Sequence, residues 1–430
     1  MDKIYDIVVV GGGPIGISTS VILSKHGMRV ALIERSFFGD YGLGPDSYNS
    51  TLPSKILCGL NNKLPSRLFA LTVHTCSFLH KHDLIANMEE YGRPINRIRV
   101  EEAEALCLLE FLPQDIGKKS LGYMIEESIL KSALYEKLKQ SDVEVFEGYD
   151  FHSIGDVDIS SYGGVEVLLR QARQNQGVNH NKHGQKTYNL RSNLLIAADG
   201  KFSTVKSKTD IKTRIKDYKQ TALVCDISHT IPHNGTAFER FTDTGPIALL
   251  PKKDNNTSSV VWIESNDRLN AIVTLAEPQI TQLMEKKVKS YAGNIRLCSS
   301  ITFFGLKLLH SDVYASTLNR LVLVGDAAHS IHPLVGQGIN LGFEDVEELV
   351  KILVNEYKLG LDMGTSSLLN QYSLLRRKDA KVMIAFTSGI NRLFLSKSWV
   401  VMLVRRIGMN LVNRTGFLRK YFAMYASNLR

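Results

Sequence analysis

The segment from Leu321 to Leu349 constrains the fold of this 430-residue chain more than any other. It reads LVLVGDAAHSIHPLVGQGINLGFEDVEEL. Its first four residues form an apolar run that ends at Gly325-Asp326, which is typical of a buried parallel strand with a carboxylate at its C-terminal edge. A turn, Gly336-Gln337-Gly338, then precedes a helical apolar pattern from Ile339 to Leu353. A strand, a carboxylate and free backbone amides at a helix start together predict a cradle for an electron-rich ligand.

The N-terminal region carries a second turn of this kind. An apolar strand, Ile4 to Val10, runs into a G-x-G-x-x-G pattern, and a predicted helix follows to about His26. The next strand, Arg29 to Ile33, is followed by an acid about 20 residues beyond the glycines, where a dinucleotide-binding βαβ unit holds the ribose. The glycines allow a tight turn, a close approach of the backbone to a pyrophosphate, and close helix packing. The predicted contacts are Gly11, Gly13, Pro14, Ile15, Gly16, Glu34 and Arg35.

These motifs resemble those of class A FAD-dependent aromatic hydroxylases, the group of para-hydroxybenzoate hydroxylase. The run from His332 to Asp345, HPLVGQGINLGFED, is similar in particular to the signature of the ubiquinone-biosynthesis ring hydroxylases within that group. Ser66 to Leu71 is similar to an Arg-x-x-Ala-Leu element of the family and is predicted to open a helix. Asp199 to Lys206 is similar to an Asp-Gly motif that usually ends in Arg. Lys206 keeps the charge but lacks the planar, bidentate fork of Arg.

The resemblance implies an α/β fold in three parts. A discontinuous Rossmann-like FAD-binding domain would hold an inserted, mostly antiparallel β-sheet substrate domain, and a helical C-terminal tail would follow. Short apolar or alternating runs between residues 219 and 263 agree with such a sheet. The expected boundaries are 1–72, 101–210 and 311–362 for the FAD-binding domain, 73–100 and 211–310 for the substrate domain, and 363–430 for the C-terminal helical region.

The same resemblance implies roles for single residues. Asp326 would accept hydrogen bonds from the ribityl hydroxyls of FAD, and the amides near Gly338 would face the N1–C2=O edge of the flavin ring. Arg67 would contact the pyrophosphate, and Asp199 would have a structural or a nucleotide-related role. The catalytic candidates are His332 and Pro333, which lie beside the flavin turn, and no catalytic base is identified. The other expected contacts are Pro333, Gly336, Gln337, Ile339 and Asn340.

The function implied by the resemblance is hydroxylation of the aromatic ring of a polyprenylated ubiquinone precursor. FAD would be reduced by NAD(P)H or by a protein electron donor, and O2 would react to give the flavin C4a-hydroperoxide that transfers oxygen to the ring. Two alternatives stay open at this point. One is an FAD monooxygenase that acts on another aromatic substrate, and the other is a non-enzymatic, prenyl-binding relative of the same fold.

Composition and charge bear on the partners. The formal net charge is +9, and residues 376–430 hold twelve Lys and Arg against one acid, Asp379. These charges alternate with apolar residues, and the stretch 397–411 has an apolar face that ends at Arg405-Arg406. The pattern favours an anionic membrane, a partner in a quinone-biosynthesis complex or plain core packing over nucleic acid. Five scattered cysteines and the absence of any signal peptide or transmembrane run predict a cytoplasmic protein without a metal site, peripheral on the inner face of the cytoplasmic membrane if the tail binds lipid.

Overall fold

The computed structural model describes residues 4–38, 64–102, 108–155, 164–172, 187–331, 336–396 and 398–427. The strands of these residues are β1 (Ile4–Val10), β2 (Val30–Glu34), β3 (Leu68–Thr72), β4 (Arg93–Pro94), β5 (Arg97–Glu102), β6 (Leu108–Phe111), β7 (Gly122–Glu126), β8 (Glu144–Glu147), β9 (Tyr149–Ile154), β10 (Val165–Gln171), β11 (Thr187–Ala197), β12 (Thr213–His229), β13 (Thr236–Thr242), β14 (Gly245–Pro251), β15 (Thr257–Ser265), β16 (Ile295–Leu297), β17 (Thr302–Ser311), β18 (Ala315–Ser316), β19 (Leu321–Leu323) and β20 (His329–Ser330). The helices are α1 (Pro14–Lys25), α2 (Val73–Lys81), α3 (Met88–Tyr91), α4 (Glu127–Lys139), α5 (Thr204–Ser207), α6 (Asn266–Ile272), α7 (Glu277–Ala292), α8 (Gly338–Lys358), α9 (Ser366–Leu395), α10 (Trp399–Arg414) and α11 (Gly416–Ala426).

The first sheet is the expected nucleotide-binding sheet. Its main path runs β18-β19-β11-β1-β2-β8, and the five strands from β19 to β8 are parallel. The strand residues Val8, Leu195 and Leu321 lie in register and are fully buried, because helices cover both faces of a parallel sheet. The predicted hairpin is present as β10 and β11, and β11 continues without interruption into the buried run that ends at Ala197.

The second sheet is the expected, mostly antiparallel one. It runs β20-β17-β12-β15-β14-β13-β5-β6, with β16 beside β12, and only β13 and β5 are parallel among its described pairs. One face packs on α7 through a core that includes Trp262 and Phe238. The pairing places β5 and β6 in the same sheet as the strands β12 to β17. The domain boundaries given above stay predictions.

A small third sheet corrects one expectation from the sequence. Leu68–Thr72 is not the start of a helix but a strand, β3, which pairs antiparallel with β7. The helix begins only at Val73, where the Thr72 side chain accepts a hydrogen bond from the Thr75 amide as an N-cap. Tertiary pairing with β7 therefore overrides the local helical pattern.

The C-terminal region is helical, as expected, and α10 and α11 lie over the second sheet. We call these two helices the helical roof. Arg419 of α11 bonds to Asp115 at 2.7 Å, and the Asn413 side chain accepts a hydrogen bond from the Glu110 amide. In the part of the chain that the structure describes, no helix combines the length and apolarity that crossing a bilayer requires.

The expected apolar face ending at Arg405-Arg406 is wrong for Arg405. Its side chain is buried and pairs with the buried Glu102 carboxylate of β5, and it also donates to the Leu393 carbonyl at 2.9 Å. Arg405 therefore fastens the helical roof to the sheet. A buried charge of this kind is too costly to leave without its partner.

Candidate functional site

Two glycine turns face one another at the C-terminal edge of the parallel sheet. A Cβ on Gly11 would lie 2.5 Å from the Ala198 carbonyl oxygen, and one on Gly16 would lie 1.8 Å from the Gly11 carbonyl oxygen. Gly11 also has a φ of 110°, a conformation that favours glycine. A Cβ on Gly13, in contrast, would have no protein atom within 4 Å. The turn is thus closed on the protein side at Gly11 and Gly16 and open at Gly13.

The second turn meets the first through Ile15. A Cβ on Gly342, in the first turns of α8, would lie 2.9 Å from the Ile15 side chain, and one on Gly325 would lie 3.4 Å from it. Gly325 and Gly336 both have positive φ angles. We call these two turns, residues 11–16 and 336–338, together with Asp326, the glycine cradle. Both α1 and α8 begin in it, so their free amides point toward the same space.

The acid that ends β2 lies against the first glycine turn. The Glu34 carboxylate accepts hydrogen bonds from the Gly12 amide at 2.5 Å and from the Ser36 amide at 2.9 Å. These contacts hold the carboxylate against the first turn. Arg35 was also expected to contact the cofactor, and its side chain is exposed. Burial raises the pKa of the Asp150 carboxyl, and the charge of Arg35 offsets part of that rise.

The Asp-Gly motif, Asp199 to Lys206, packs next to the cradle. Asp199 accepts a hydrogen bond from the Val205 amide at 3.1 Å, and burial raises the pKa of its carboxyl despite this bond and others. Lys206 is buried, and its ammonium donates to the Ala327 carbonyl at 2.8 Å, next to Asp326. Ala198 and Gly200, on either side of Asp199, line the cavity described below. Lys206 therefore holds the Asp326 turn, and Asp199 holds the start of α5.

A buried ion network fixes the same turn from the other side. Asp345 of α8 accepts hydrogen bonds from the Gly325 amide at 2.9 Å and from Arg376 Nε at 2.6 Å, and its carboxylate lies 2.6 Å from His329 Nε2. Burial by itself raises the pKa of Asp345, but His329 and Arg376 outweigh it, so the pKa lies below its ordinary value. The network ties β20, α8 and α9 to the start of the Gly325–Ala327 turn.

The polar side chains at the start of α8 bond within the protein. Asn340 is buried, accepts from the Thr72 amide at 2.9 Å, and donates to the Ala70 carbonyl at 2.8 Å. Gln337 donates to the Ala426 carbonyl at 2.9 Å, at the end of α11. The Asn340 side chain therefore holds β3 against α8. The expected residues His332 and Pro333 lie outside the described residues.

The cradle opens into an apolar cavity of about 870 Å³. Its walls come from the second sheet, from β3 and β7, from α9 and from the helical roof. Of the expected cofactor contacts, the cavity is lined by Gly13, Pro14, Ile15, Arg67, Asp326, Gly336, Gln337, Gly338 and Ile339. The Arg67 guanidinium lies 3.6 Å from the Glu127 carboxylate and over the Phe69 ring.

The residues present fit FAD. Two helix starts, the exposed side of Gly13 and the Arg67 guanidinium suit a pyrophosphate, and the Asp326 carboxylate suits hydroxyl groups. The cavity volume lies within the range of small-molecule sites and continues well past the cradle. The arrangement can hold a flat, electron-rich ring at its edge and a second, apolar molecule beside it.

Some residues of the site carry no role in the sequence analysis. Asp345 and Arg376 form the network described above, and Glu239 of β13 places a carboxylate in the apolar cavity. A sequence signal exists for Glu239, because Ala237, Glu239 and Phe241 alternate along one strand and all three line the cavity. The contact between Asp345 and Arg376, 31 residues apart, has no comparable local signal.

Comparison with known proteins agrees with this geometry. The sequence profile of the family described as "FAD binding domain" matches residues 4–37 and 127–387. Ubiquinone hydroxylase UbiL of Rhodospirillum rubrum is 30% identical over 425 residues, 99% of this chain and 90% of that protein. Ubiquinone hydroxylase UbiM of Neisseria meningitidis is 28% identical, over 96% of this chain and 83% of that protein. The crystal structure of p-nitrophenol 4-monooxygenase PnpA from Pseudomonas putida superposes with a TM-score of 0.76 at 17% identity and covers 100% of this chain and 99% of that one, which establishes a common fold.

Proposed function

The chain belongs to the FAD binding domain family, and on that premise we propose that it hydroxylates the aromatic ring of a polyprenyl phenol, a precursor of ubiquinone. The expected FAD cofactor and the expected class, an FAD-dependent aromatic monooxygenase, are confirmed by the family match and the relatives. Reduced FAD supplies the activation of O2 when it is bound. The residues of this chain bind and orient the two partners and keep water away from them.

The observation that carries the proposal is the shape and polarity of the cavity. It runs without interruption from Asp326 and Gly338 in the glycine cradle to Val404 and Val412 in the helical roof. Apart from Glu239, the sheet wall between these ends is apolar, with residues such as Ile98, Leu109 and Ala248. A phenol ring with an isoprenoid chain fits this lining, whereas a small carboxylated phenol would bury its charge against hydrocarbon.

The mouth of the cavity supports peripheral contact with a membrane. Val404 lines the cavity and is also 61% exposed, so the apolar lining reaches the surface of α10. The neighbouring apolar side chains are exposed, with Trp399 at 74% and Phe417 at 76%. Exposed Arg392, Arg414 and Lys420 lie on the same helices or just before them. An apolar face with a basic border suits an anionic bilayer, into which a polyprenyl phenol would partition.

The test is genetic complementation of bacterial strains that each lack one ring-hydroxylation step of ubiquinone synthesis. Mass spectrometry of the quinone intermediates then shows which step is restored, and the restored step identifies the ring carbon. The Asp326→Ala variant, expected to lose most of its FAD, is the control for dependence on the cofactor. If a well-expressed, flavin-loaded protein restores no step, the proposal gives way to a monooxygenase of another aromatic substrate.

A further inference from the structure

Among the described residues that line the apolar cavity, Glu239 has a carboxylate that neither the cradle nor an ion pair explains. Glu239 lies in the middle of β13, and its strand neighbours on the cavity face are Val100 of β5 and Ala248 of β14. The adjacent residues point to the opposite face, where Phe238 stacks on Tyr291 and Arg240 pairs with Glu101. Alternation along the strand therefore directs the Glu239 side chain into the cavity.

Glu239 differs from the other charged groups that line the cavity. Arg405 is held by Glu102, and Arg67 lies beside Glu127. Asp326 lies at the cradle end, where the cofactor fits. Within the described ranges, the Glu239 carboxylate has no hydrogen-bond or ion-pair partner of its own. A carboxylate that is surrounded by hydrocarbon and lacks a partner is costly, so its presence calls for a ligand that satisfies it.

We propose that Glu239 binds the phenol hydroxyl of the substrate and takes its proton. The proposal rests on the proposed function, because it needs a phenol in this cavity. The phenol O–H bond breaks and a bond between that proton and a Glu239 carboxylate oxygen forms, while the electron pair stays on the phenolic oxygen. The resulting phenolate is richer in electrons at the ring carbons that accept oxygen. The proton returns to the phenolic oxygen when the product is released.

The local electrostatics agree with this role. Burial raises the pKa of the Glu239 carboxyl to about 7. A carboxyl with such a pKa is a much stronger base than an exposed glutamate, and it is still ionised in part at neutral pH. The other charged groups at the same cavity are Arg405, which pairs with Glu102, Arg67, which lies 3.6 Å from Glu127, and Asp326 of the glycine cradle. The helices packed over Glu239 contribute apolar residues such as Phe394 and Met409.

The experiment uses the flavin-loaded full chain and the short-chain probe 2-prenylphenol. The protein is reduced anaerobically and mixed with the probe and oxygenated buffer, and the hydroxylated product and hydrogen peroxide are measured over a single turnover. The rate of product formation in the wild type should rise with pH through about 7, because the base acts in its ionised form. Glu239→Gln keeps a hydrogen-bond acceptor but not the base. It should lower the rate by about 10² to 10⁴, divert turnover to peroxide and flatten the pH profile.

A binding measurement separates this proposal from the proposed function. The wild type should bind 2-prenylphenol more tightly than its methyl ether, Glu239→Gln should keep that preference, and Glu239→Leu should lose it. Glu110→Gln is the matched control, since Glu110 lies on the same sheet between the cavity residues Leu109 and Phe111 and pairs with Arg97. Equal flavin content and melting temperature verify folding.

Two results would overturn the role of Glu239. One is wild-type hydroxylation by Glu239→Gln with an unchanged pH profile, and the other is an unchanged phenol preference in Glu239→Leu. A wild type that prefers the phenol over the ether but forms no hydroxylated product defeats the proposed function while the binding role of Glu239 stands.

Discussion

The glycine cradle and the helical roof enclose the same cavity by different physical means. In the cradle, backbone approaches backbone, as at Gly16 against the Gly11 carbonyl, and side chains are excluded. In the roof, side chains join elements that are far apart in the sequence, as Arg405 joins Glu102 across 303 residues. The cradle needs a specific residue type at a specific position. The roof needs complementary charges that only the folded chain brings together.

The strongest way to break the comparison is to place a side chain in the cradle. Gly16→Val should destabilise the protein by about 4 kcal/mol or more, because its Cβ would lie 1.8 Å from a backbone oxygen that has no room to move. Gly13→Ala, whose Cβ meets no protein atom within 4 Å, should leave the melting temperature of the cofactor-free protein unchanged while it weakens FAD binding. Thermal unfolding and the flavin absorbance of the two variants test this. If Gly13→Ala binds FAD like the wild type, the open side of the turn does not face the cofactor.

The roof should respond to loss of a charge instead. Arg405→Ala should cost about 3 kcal/mol of unfolding free energy, because it leaves the buried Glu102 carboxylate without its main partner. Replacing both residues by apolar ones should cost less than the sum of the single changes, and urea denaturation of the four proteins measures that difference. Arg414→Ala, at an exposed position of the same helix, is the control and should stay within about 0.5 kcal/mol of the wild type. If Arg405→Ala and Arg414→Ala lose similar amounts of unfolding free energy, the pair of Arg405 and Glu102 does not fasten the roof.

Asp345 shows that buried charges also stabilise the cradle, because its carboxylate bonds to the Gly325 amide and to Arg376. Asp345→Asn should cost about 2 kcal/mol at pH 7, because Arg376 keeps Glu344 at 3.2 Å and Asp379 at 2.8 Å as partners. His329 and Arg376 outweigh burial and depress the folded-state pKa of Asp345, so its stabilisation is present above the unfolded-state pKa and is lost as the pH falls through the folded-state pKa. The difference from the wild type should therefore shrink below about pH 4. A difference that stays constant from pH 7 to pH 3 in urea denaturation contradicts the depressed pKa.

The smallest effect is expected at the outer surface of the roof. Arg414→Glu with Lys420→Glu should weaken flotation with anionic liposomes by about 1 kcal/mol for each basic charge removed. Trp399→Glu should weaken it on anionic and on neutral liposomes alike, because it removes apolar contact. Arg405 is unsuitable for this test, since its replacement would release the roof. Equal flotation of all variants and the wild type would remove the membrane proposal.

Sequence reasoning reached the cradle because its signals are local. Gly11, Gly13, Gly16, Glu34 and Asp326 each mark the end of a strand or the start of a helix, and the structure brings them to one edge of the sheet. The same reasoning failed at Leu68–Thr72, where pairing with β7 decides the conformation. It also did not show that the Asn340 side chain holds β3 against α8, and a cofactor contact at Asn340 stays a prediction. In both cases the deciding partner lies in a distant part of the chain.

The sequence by itself determined the parallel sheet with its two glycine turns, because backbone geometry at these turns limits the residue to glycine, and the resemblance that these motifs carry implied the fold class and FAD. Only the tertiary structure decided that Arg405 is a fastening and not a surface charge. It also decided that Asp345 and Arg376 hold the Asp326 turn, and that Glu239 has no partner among the described residues around the apolar cavity. Burial and pairing set the role of these groups. Burial and pairing depend on which residues, distant in the sequence, pack against one another in the fold, and the sequence alone does not show this.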